Sequence, residues 1–277
     1  MLFNFSYVKS LIRLLTHGNI WVAFCALGLT LSSEIILQTS SKSIAQFVFF
    51  ATIFAYNFQR IIRIKKGGIH PRKKWLIKNK KAVYFLMLIS VIGSLYHFCV
   101  LNFITQITIV FTAVLCLLYP FALRRPPFVK IFIISLVWTI STMLFLILEN
   151  NIVITQNIGL HLASRFLFVF AITIPFDIRD LECDFDKIKT IPMFFGEKRA
   201  KWIANCGLLI CVIILIFQYT QNNICIPNFL ALFLIYFLSA ILIIKSDKSN
   251  SDMYFSFWVE SLSFLCYVFL AIMLLIF

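Results

Sequence analysis

Residues 172–196 read ITIPFDIRDLECDFDKIKTIPMFFG, an apolar run that ends in a group of carboxylates. We call residues 177–186 the acidic stretch, because they hold five of the 11 acidic residues of the chain. If the preceding helix continues through it, positions 177, 180 and 184 lie on one helical face. Carboxylates on one face repel each other, and a helix C-terminus disfavours negative charge. The sequence therefore predicts that a cation compensates them.

The residues of the acidic stretch allow two interpretations. In the first, the carboxylates bind Mg²⁺, which prefers oxygen ligands and readily shares phosphate oxygens and water. In the second, they form a hydrated cap on a membrane helix, paired with Arg179, Lys187 and Lys189. The helical spacing of the carboxylates and the turn residues Pro192 and Gly196 in the following loop favour the first interpretation.

The composition of the chain indicates a membrane protein. Of 277 residues, 61% are hydrophobic and 13% are charged, and the mean hydropathy is +0.96. Several apolar segments are long enough to span a bilayer as helices, and they lack the polar alternation of barrel strands. They lie near residues 19–38, 43–63, 82–101, 103–120, 128–148, 158–177, 202–220, 226–244 and 254–277. We therefore expect an all-α polytopic membrane protein, with about nine transmembrane helices in one bundle around a central cavity.

The lysine and arginine residues indicate the orientation of this bundle. If the N-terminus is cytoplasmic, all of them lie in the leader or near cytoplasmic connections, except Lys42 and Arg165. This asymmetry predicts a protein of the cell (inner) membrane with a cytoplasmic N-terminus. It also explains the net charge of +14 without a nucleic-acid partner. The expected organisation is one transmembrane domain over 1–277, an amphipathic interfacial leader over 1–18 and cytoplasmic loops over 64–81 and 178–201.

Two segments carry a resemblance to a known family. DIRDLECDFDKIKTIPMFFG (177–196) resembles the second aspartate-rich motif and following loop of the UbiA superfamily of intramembrane prenyltransferases. YPFALRRPPFVK (119–130) is similar to the Tyr…Leu-Lys-Arg segment that opens the fifth helix of that family. The nine expected helices and the cytoplasmic N-terminus also agree with the family.

The resemblance implies an enzyme that moves a polyprenyl group from a prenyl diphosphate to a lipophilic, often aromatic, acceptor. It implies that Asp177, Asp180 and Asp184 are the catalytic carboxylates and bind Mg²⁺ and the diphosphate. Arg124, which stands where the family usually has a lysine, and Arg179 would contact phosphate oxygens. An apolar chamber within membrane lipid would hold the isoprenoid and exclude the water that would quench an allylic cation.

The chain departs from the family in its first motif, Asn-Asp-x-x-Asp-x-x-x-Asp, at the end of the second helix. Here Asn57 is followed by Phe58, and Ile61 and Lys65 stand where the later aspartates belong. Two outcomes are open. Either Asn57 and Arg60 bind the substrate and a fixed cation replaces one metal ion, or catalysis is lost and the cavity binds a lipid or a protein partner.

Other polar residues offer weaker indications. Glu260 lies in the ninth apolar segment, where a carboxylate is costly and is a candidate functional group, unless it is hydrated at the interface. Arg165 is expected to pair with Glu149 or to extend towards the interface. The basic residues of the 64–81 loop are expected to contact anionic lipid headgroups. A small transporter is a third possible class, but it would need broken helices and polar groups near the bilayer midplane.

Overall fold

The computed structural model describes residues 12–65, 72–123, 126–181 and 190–277. Within these ranges all regular structure is helical, and nine helices are long and apolar enough to cross a membrane. In chain order they are α1 (Ile20–Leu37), α2 (Lys42–Lys65), α3 (Lys80–Cys99), α4 (Phe103–Phe121), α5 (Val129–Glu149), α6 (Gln156–Arg179), α7 (Glu197–Thr220), α8 (Ile226–Lys245) and α9 (Tyr254–Ile276). The predicted all-α architecture is confirmed. The largest difference in a boundary is at α7, which begins five residues before the predicted position 202.

Short elements connect these helices at the end of the bundle that carries the acidic stretch, which we call the acidic end. Lys73–Lys78 forms a helix before α3, and Ile191–Phe195 forms one before α7.

Wider π-type turns occur at Tyr119–Leu123, Ile140–Leu144 and Tyr254–Val259, in α4, α5 and α9. The last of these widens the first turns of α9 beside the C-terminus of α6. Such turns are frequent at functional sites.

Helices that are neighbours in the sequence mostly pack side by side, and α9 closes the bundle by packing against α1. The core contains fully buried residues such as Phe145 in α5, Ile174 in α6 and Phe255 in α9. In contrast, α3 exposes large apolar side chains such as Phe85 and Ile92. Apolar side chains on the outside of a bundle suit lipid rather than water, so the chain is an integral membrane protein.

The C-terminus of α6 does not continue through the acidic stretch as the sequence suggested. α6 ends at Arg179, and Asp180 lies at its C-cap, where its N–H donates to the carbonyl oxygen of Phe176 at 3.0 Å. Pro175 lies in the last turns of α6 and cannot donate a backbone hydrogen bond. Asp184, the third predicted carboxylate, lies outside the described residues.

Close approach of α1 and α9 depends on Gly28. A Cβ atom at this position would lie 2.8 Å from the Cα of Phe264 and 2.9 Å from its Cδ2 atom. Small residues allow helix backbones to approach in this way, because no side chain separates them.

We therefore expect Gly28→Ala to lower the unfolding temperature of the purified protein in detergent. The cost should be that of an overpacked contact, about 1–3 kcal/mol, because the obstacle is backbone rather than a flexible side chain. Gly159→Ala in α6 is the matched control, since no neighbouring atom lies within 4 Å of its added Cβ. Equal unfolding temperatures for the two variants would contradict this packing.

Candidate functional site

Asp177 forms a buried ion pair at the acidic end of the bundle. It lies in the last turn of α6, its side chain is almost fully buried, and its Oδ1 atom is 2.5 Å from the Nζ atom of Lys130. Lys130 is the second residue of α5 and is also buried. The sequence analysis did not single out Lys130, although it ends the 119–130 segment that resembles the family. Arg124, the phosphate contact predicted from that segment, lies outside the described residues.

Asp180 is held by two arginines. Its Oδ1 atom is 2.8 Å from Arg179 Nε, and its Oδ2 atom is 3.8 Å from Arg63 Nη1 at the C-terminus of α2. Burial by itself raises the pKa of the Asp180 carboxyl group, but the charges of Arg179, Lys130 and Arg63 outweigh burial and hold the pKa well below its usual range. Asp180 is therefore a carboxylate at neutral pH.

Arg179 links Asp180 to the beginning of α9. Its Nη1 atom lies 3.4 Å from Asp252 Oδ1. Its guanidinium also lies over the ring of Phe176, at 5.3 Å from the ring centroid, and over that of Phe255, at 5.8 Å. The two aromatic rings hold the guanidinium group in place, and the N–H groups at its edge stay directed towards anionic groups.

Asp252 is a second carboxylate, after Asp180, that joins segments far apart in the sequence. Its Oδ2 atom accepts hydrogen bonds from Arg72 Nη2 at 2.8 Å and from Arg72 Nε at 3.1 Å. Arg72 also donates from Nη1 to the carbonyl oxygen of Thr16 at 2.8 Å. Burial raises the pKa of Asp252, but Arg72 and Arg179 outweigh it, and the net shift is downwards. This carboxylate thus ties the segment before α3, the end of α6 and the beginning of α9 together.

Asn57 and Arg60, the substrate-binding residues predicted on α2, lie at the same end of the bundle. The Asn57 amide is completely buried and donates to the carbonyl oxygens of Gly18 and Ile53, both at 2.9 Å, while its oxygen accepts from Asn19 Nδ2 at 2.9 Å. These contacts give Asn57 a role in joining α1 to α2. Its role in substrate binding stays a prediction.

Arg60 lies one helical turn after Asn57 and donates from Nη1 to the carbonyl oxygen of His17 at 3.2 Å. Glu260 lies in α9, directly after the π-type turns, and is only partly exposed. It interacts electrostatically with Arg179, Arg72 and Arg60. Glu260 therefore belongs to the same group of charges rather than to an isolated site in the membrane.

We refer to these residues together as the charged cluster. Among the residues that the structure describes, it contains five cations and four carboxylates: Arg60, Arg63, Arg72, Lys130 and Arg179, with Asp177, Asp180, Asp252 and Glu260. The cations come from α2, the segment before α3, α5 and α6, and they converge on the end of α6. The excess of positive charge at the edge of an apolar bundle suits an anion with several oxygen atoms.

The donor atoms of the charged cluster fit one Mg²⁺ ion. Among the described residues no group of three or more His, Cys, Asp or Glu side chains could hold a metal ion without other ligands. Mg²⁺, however, commonly binds one or two carboxylates and completes its shell with water and substrate phosphates. Asp177 and Asp180, three residues apart at the end of α6, offer this pair of carboxylates.

A second metal ion does not fit the residues of α2. The first-motif positions that carry aspartates in the family hold Phe58, Ile61 and Lys65, none of which offers a ligand oxygen from its side chain. The remaining polar residue, Asn57, uses its amide within the fold. The α2 side of the cluster is thus cationic, because Arg60 and Arg63 lie between these positions.

Arg165 lies far from the charged cluster, and its predicted pairing with Glu149 is wrong. Its Nη2 atom is 2.9 Å from the hydroxyl oxygens of both Ser32 and Ser33 on α1. Glu149 instead accepts a hydrogen bond from the backbone N–H of Asn102, at 3.0 Å. The Glu149 carboxylate thus accepts a backbone hydrogen bond at the N-terminal end of α4 and is not the partner of Arg165.

Comparison with known proteins gives a consistent result. The UbiA prenyltransferase family model matches residues 20–262, whereas no curated protein matches the chain significantly. The fold is similar to that of a UbiA homologue from Aeropyrum pernix K1 in its apo form, with a TM-score of 0.68 and 12% identity over 92% of this chain and 97% of the homologue.

Two further structures share the fold. One is a UbiA homologue from Archaeoglobus fulgidus bound to GPP and Mg²⁺, with a TM-score of 0.64 and 14% identity over 94% of this chain and 98% of the homologue. The other is a structure reported for digeranylgeranylglyceryl phosphate synthase, with a TM-score of 0.62 and 15% identity over 95% and 98%. Since the family model spans nearly all the helices, this chain belongs to the UbiA prenyltransferase family.

Proposed function

We propose that the protein transfers a polyprenyl group from a prenyl diphosphate to a lipophilic or aromatic acceptor inside the membrane, in an Mg²⁺-dependent reaction. The observation that carries this proposal is the charged cluster, in which Lys130, Arg63 and Arg179 pair with the two carboxylates at the end of α6. The family supports it, as do homologues from Archaeoglobus fulgidus that bind GPP and Mg²⁺ or DMAPP and Mg²⁺.

The proposed reaction breaks the bond between the allylic carbon and the diphosphate oxygen. The diphosphate leaves with the electron pair, the acceptor forms a new bond to the allylic carbon, and the acceptor loses a proton. Arg63 and Arg179, which hold Asp180 without substrate, are placed to bind phosphate oxygens and stabilise the negative charge of the leaving group. The apolar bundle would hold the isoprenoid chain away from water.

Mg²⁺ would be held by Asp177 and Asp180, together with Asp184 from the part of the acidic stretch outside the described residues. When bound, it would supply Lewis-acid stabilisation of the diphosphate. On the α2 side we propose that Arg60, with Arg63, replaces the second metal ion by fixed positive charge. The surroundings of Arg60 support this, because Arg72, Arg179 and Asp252 all interact with it electrostatically.

The proposed orientation places the acidic end, with its many basic residues, on the cytoplasmic side of the cell (inner) membrane. Mg²⁺ and the diphosphate group of the donor would then reach the charged cluster from the cytoplasmic side, and the acceptor would enter from lipid.

A second candidate function is that of a catalytically impaired relative that binds a lipid or a protein partner. The lack of carboxylates at the first-motif positions favours it, as does the Lys130–Asp177 pair, which compensates one candidate metal ligand without a metal ion. Metal-dependent release of diphosphate separates the two functions, because only the enzyme should break the carbon–oxygen bond.

Asp180→Ala should reduce transfer from a radiolabelled prenyl diphosphate in native membranes by at least about 100-fold, because a metal ligand next to the leaving group is lost. Asp247→Ala is the matched control. Asp247 lies outside the charged cluster, and its Oδ1 atom accepts hydrogen bonds from the backbone N–H and the hydroxyl group of Ser249. Undiminished product with Asp180→Ala would refute the metal assignment, and loss of product in both variants would indicate a general effect on folding.

Arg60→Gln should raise the KM for the prenyl diphosphate by about tenfold or more, since a hydrogen bond between charged groups contributes roughly 1.5–3 kcal/mol. Arg60→Lys should recover part of this loss. The control is Arg13→Gln, which removes an exposed arginine of the leader at the same charge cost. If both glutamine variants change the KM by the same small factor, Arg60 does not bind the substrate, and its charge contributes only to the orientation of the protein in the membrane.

Metal stoichiometry provides a test that does not depend on turnover. With a non-hydrolysable thiodiphosphate donor, Mn²⁺ titration followed by electron paramagnetic resonance should show one bound ion per chain, because α2, which is described throughout, offers no carboxylate for a second ion. Asp180→Ala should weaken this binding. Two tightly bound ions per chain would contradict the proposed replacement of a metal ion by Arg60.

A further inference from the structure

Arg165 is a buried cation that the proposed reaction does not use. It lies near the middle of α6, and its side chain is 5% exposed. Twelve residues separate it from Asp177, which corresponds to about 18 Å along the helix. Arg165 therefore cannot share the phosphate site at the acidic end.

The described contacts of Arg165 satisfy only part of its guanidinium. Nη2 donates hydrogen bonds to the hydroxyl oxygens of Ser32 and Ser33. Both hydroxyl groups in turn donate hydrogen bonds to the carbonyl oxygen of Leu29, at 2.7 and 3.0 Å. Nη1 is buried and has no hydrogen-bond partner. Among the residues that the structure describes, the guanidinium thus contacts neutral oxygens and no carboxylate.

The acidic residues nearest to that end of the bundle are engaged elsewhere. Glu34 accepts a hydrogen bond from the backbone N–H of Ser41 at 2.9 Å, and Glu149 accepts one from Asn102 at 3.0 Å. Neither carboxylate neutralises Arg165. A charged group within a membrane-spanning bundle is costly unless an opposite charge or several strong hydrogen bonds compensate it.

A small cavity lies beside the guanidinium. Its volume is about 20 Å³, enough for one particle of the size of a water molecule. Its lining includes the polar residues His161, Ser164, Gln218 and Tyr236, along with Arg165. Gln218 Nε2 lies 3.1 Å from His161 Nε2 and donates to Asn157 Oδ1 at 2.6 Å. The rest of the lining is apolar, so these polar groups are confined to one part of the cavity, and no carboxylate is among its lining residues.

We propose that this cavity binds one halide-sized anion, chloride, against Nη1 of Arg165. A chloride ion would satisfy the unpartnered N–H groups and neutralise the buried charge, whereas a water molecule would do only the first. Chloride is close to a water molecule in size, so it suits this small cavity better than a bulky organic anion such as gluconate. The bound ion would link α6 to α1 through the serine contacts of Arg165, as a structural site independent of the proposed transferase reaction.

The test compares the unfolding temperature of the full chain in detergent in sodium chloride, sodium bromide and sodium gluconate at equal ionic strength. The unfolding temperature should be at least about 3 °C higher in chloride or bromide than in gluconate, because an ion that binds only the folded state stabilises it by mass action. The difference should reach a plateau as the halide concentration rises. The same unfolding temperature in all three salts would overturn the proposal and leave water as the occupant.

A variant and a direct measurement make the test specific to Arg165. Arg165→Gln should abolish the difference between chloride and gluconate, while Arg13→Gln, which removes an exposed arginine, should retain it. If Arg165→Gln does not fold, the wild-type protein decides the question. Crystals grown in bromide should show an anomalous peak next to Arg165 Nη1, and the absence of a peak there would contradict the proposal. None of these readouts depends on whether the protein transfers prenyl groups.

Discussion

Charge compensation at the end of α6 is the constraint on which the acidic end of the structure depends. Carboxylates at a helix C-terminus, within an apolar bundle, are stable only if cations reach them. Lys130 from α5 and Arg63 from α2 provide that charge, and Arg179 adds contacts with two aromatic rings. In the proposed function the same cations bind the diphosphate, so the requirements of folding and of the proposed function would coincide.

This arrangement also explains how the protein accommodates the altered first motif. A site with two sets of carboxylates requires metal ions to bring its halves together. Here the α2 side carries Arg60 and Arg63, and one direct ion pair connects Arg63 to Asp180 at the end of α6. Asp252 extends the connection by holding Arg72 and Arg179 from two other segments. Direct ion pairs therefore connect the segments of the site, and we propose that a single ion would suffice with substrate.

The helices could be predicted from the sequence because an apolar run of about 20 residues has no stable alternative to a helix in lipid. The placement of Arg179 and Asp180 at the end of α6 could be predicted because both lie in one motif, whereas their roles stay a prediction. Lys130, Arg72 and Asp252 were missed, since their contacts join residues 47, 180 and 73 positions apart. A buried lysine at the start of a membrane helix looks like any other basic residue of a cytoplasmic connection until the fold places Asp177 beside it.

Arg165 shows the same limit for a single residue. The sequence suggested a pairing with Glu149 or an extension towards the interface, but the described contacts are with serines more than 130 positions away. Hydroxyl groups on an apolar helix carry no signal that an arginine will meet them.

The most direct test of the central claim is a structure of the protein with a prenyl thiodiphosphate and Mn²⁺ bound. We predict that the diphosphate lies at the end of α6 against Arg63 and Arg179, with one Mn²⁺ between it and the Asp177 and Asp180 carboxylates. A structure in which Arg179 still pairs with Asp180, and the diphosphate lies elsewhere or is not bound, would contradict the account.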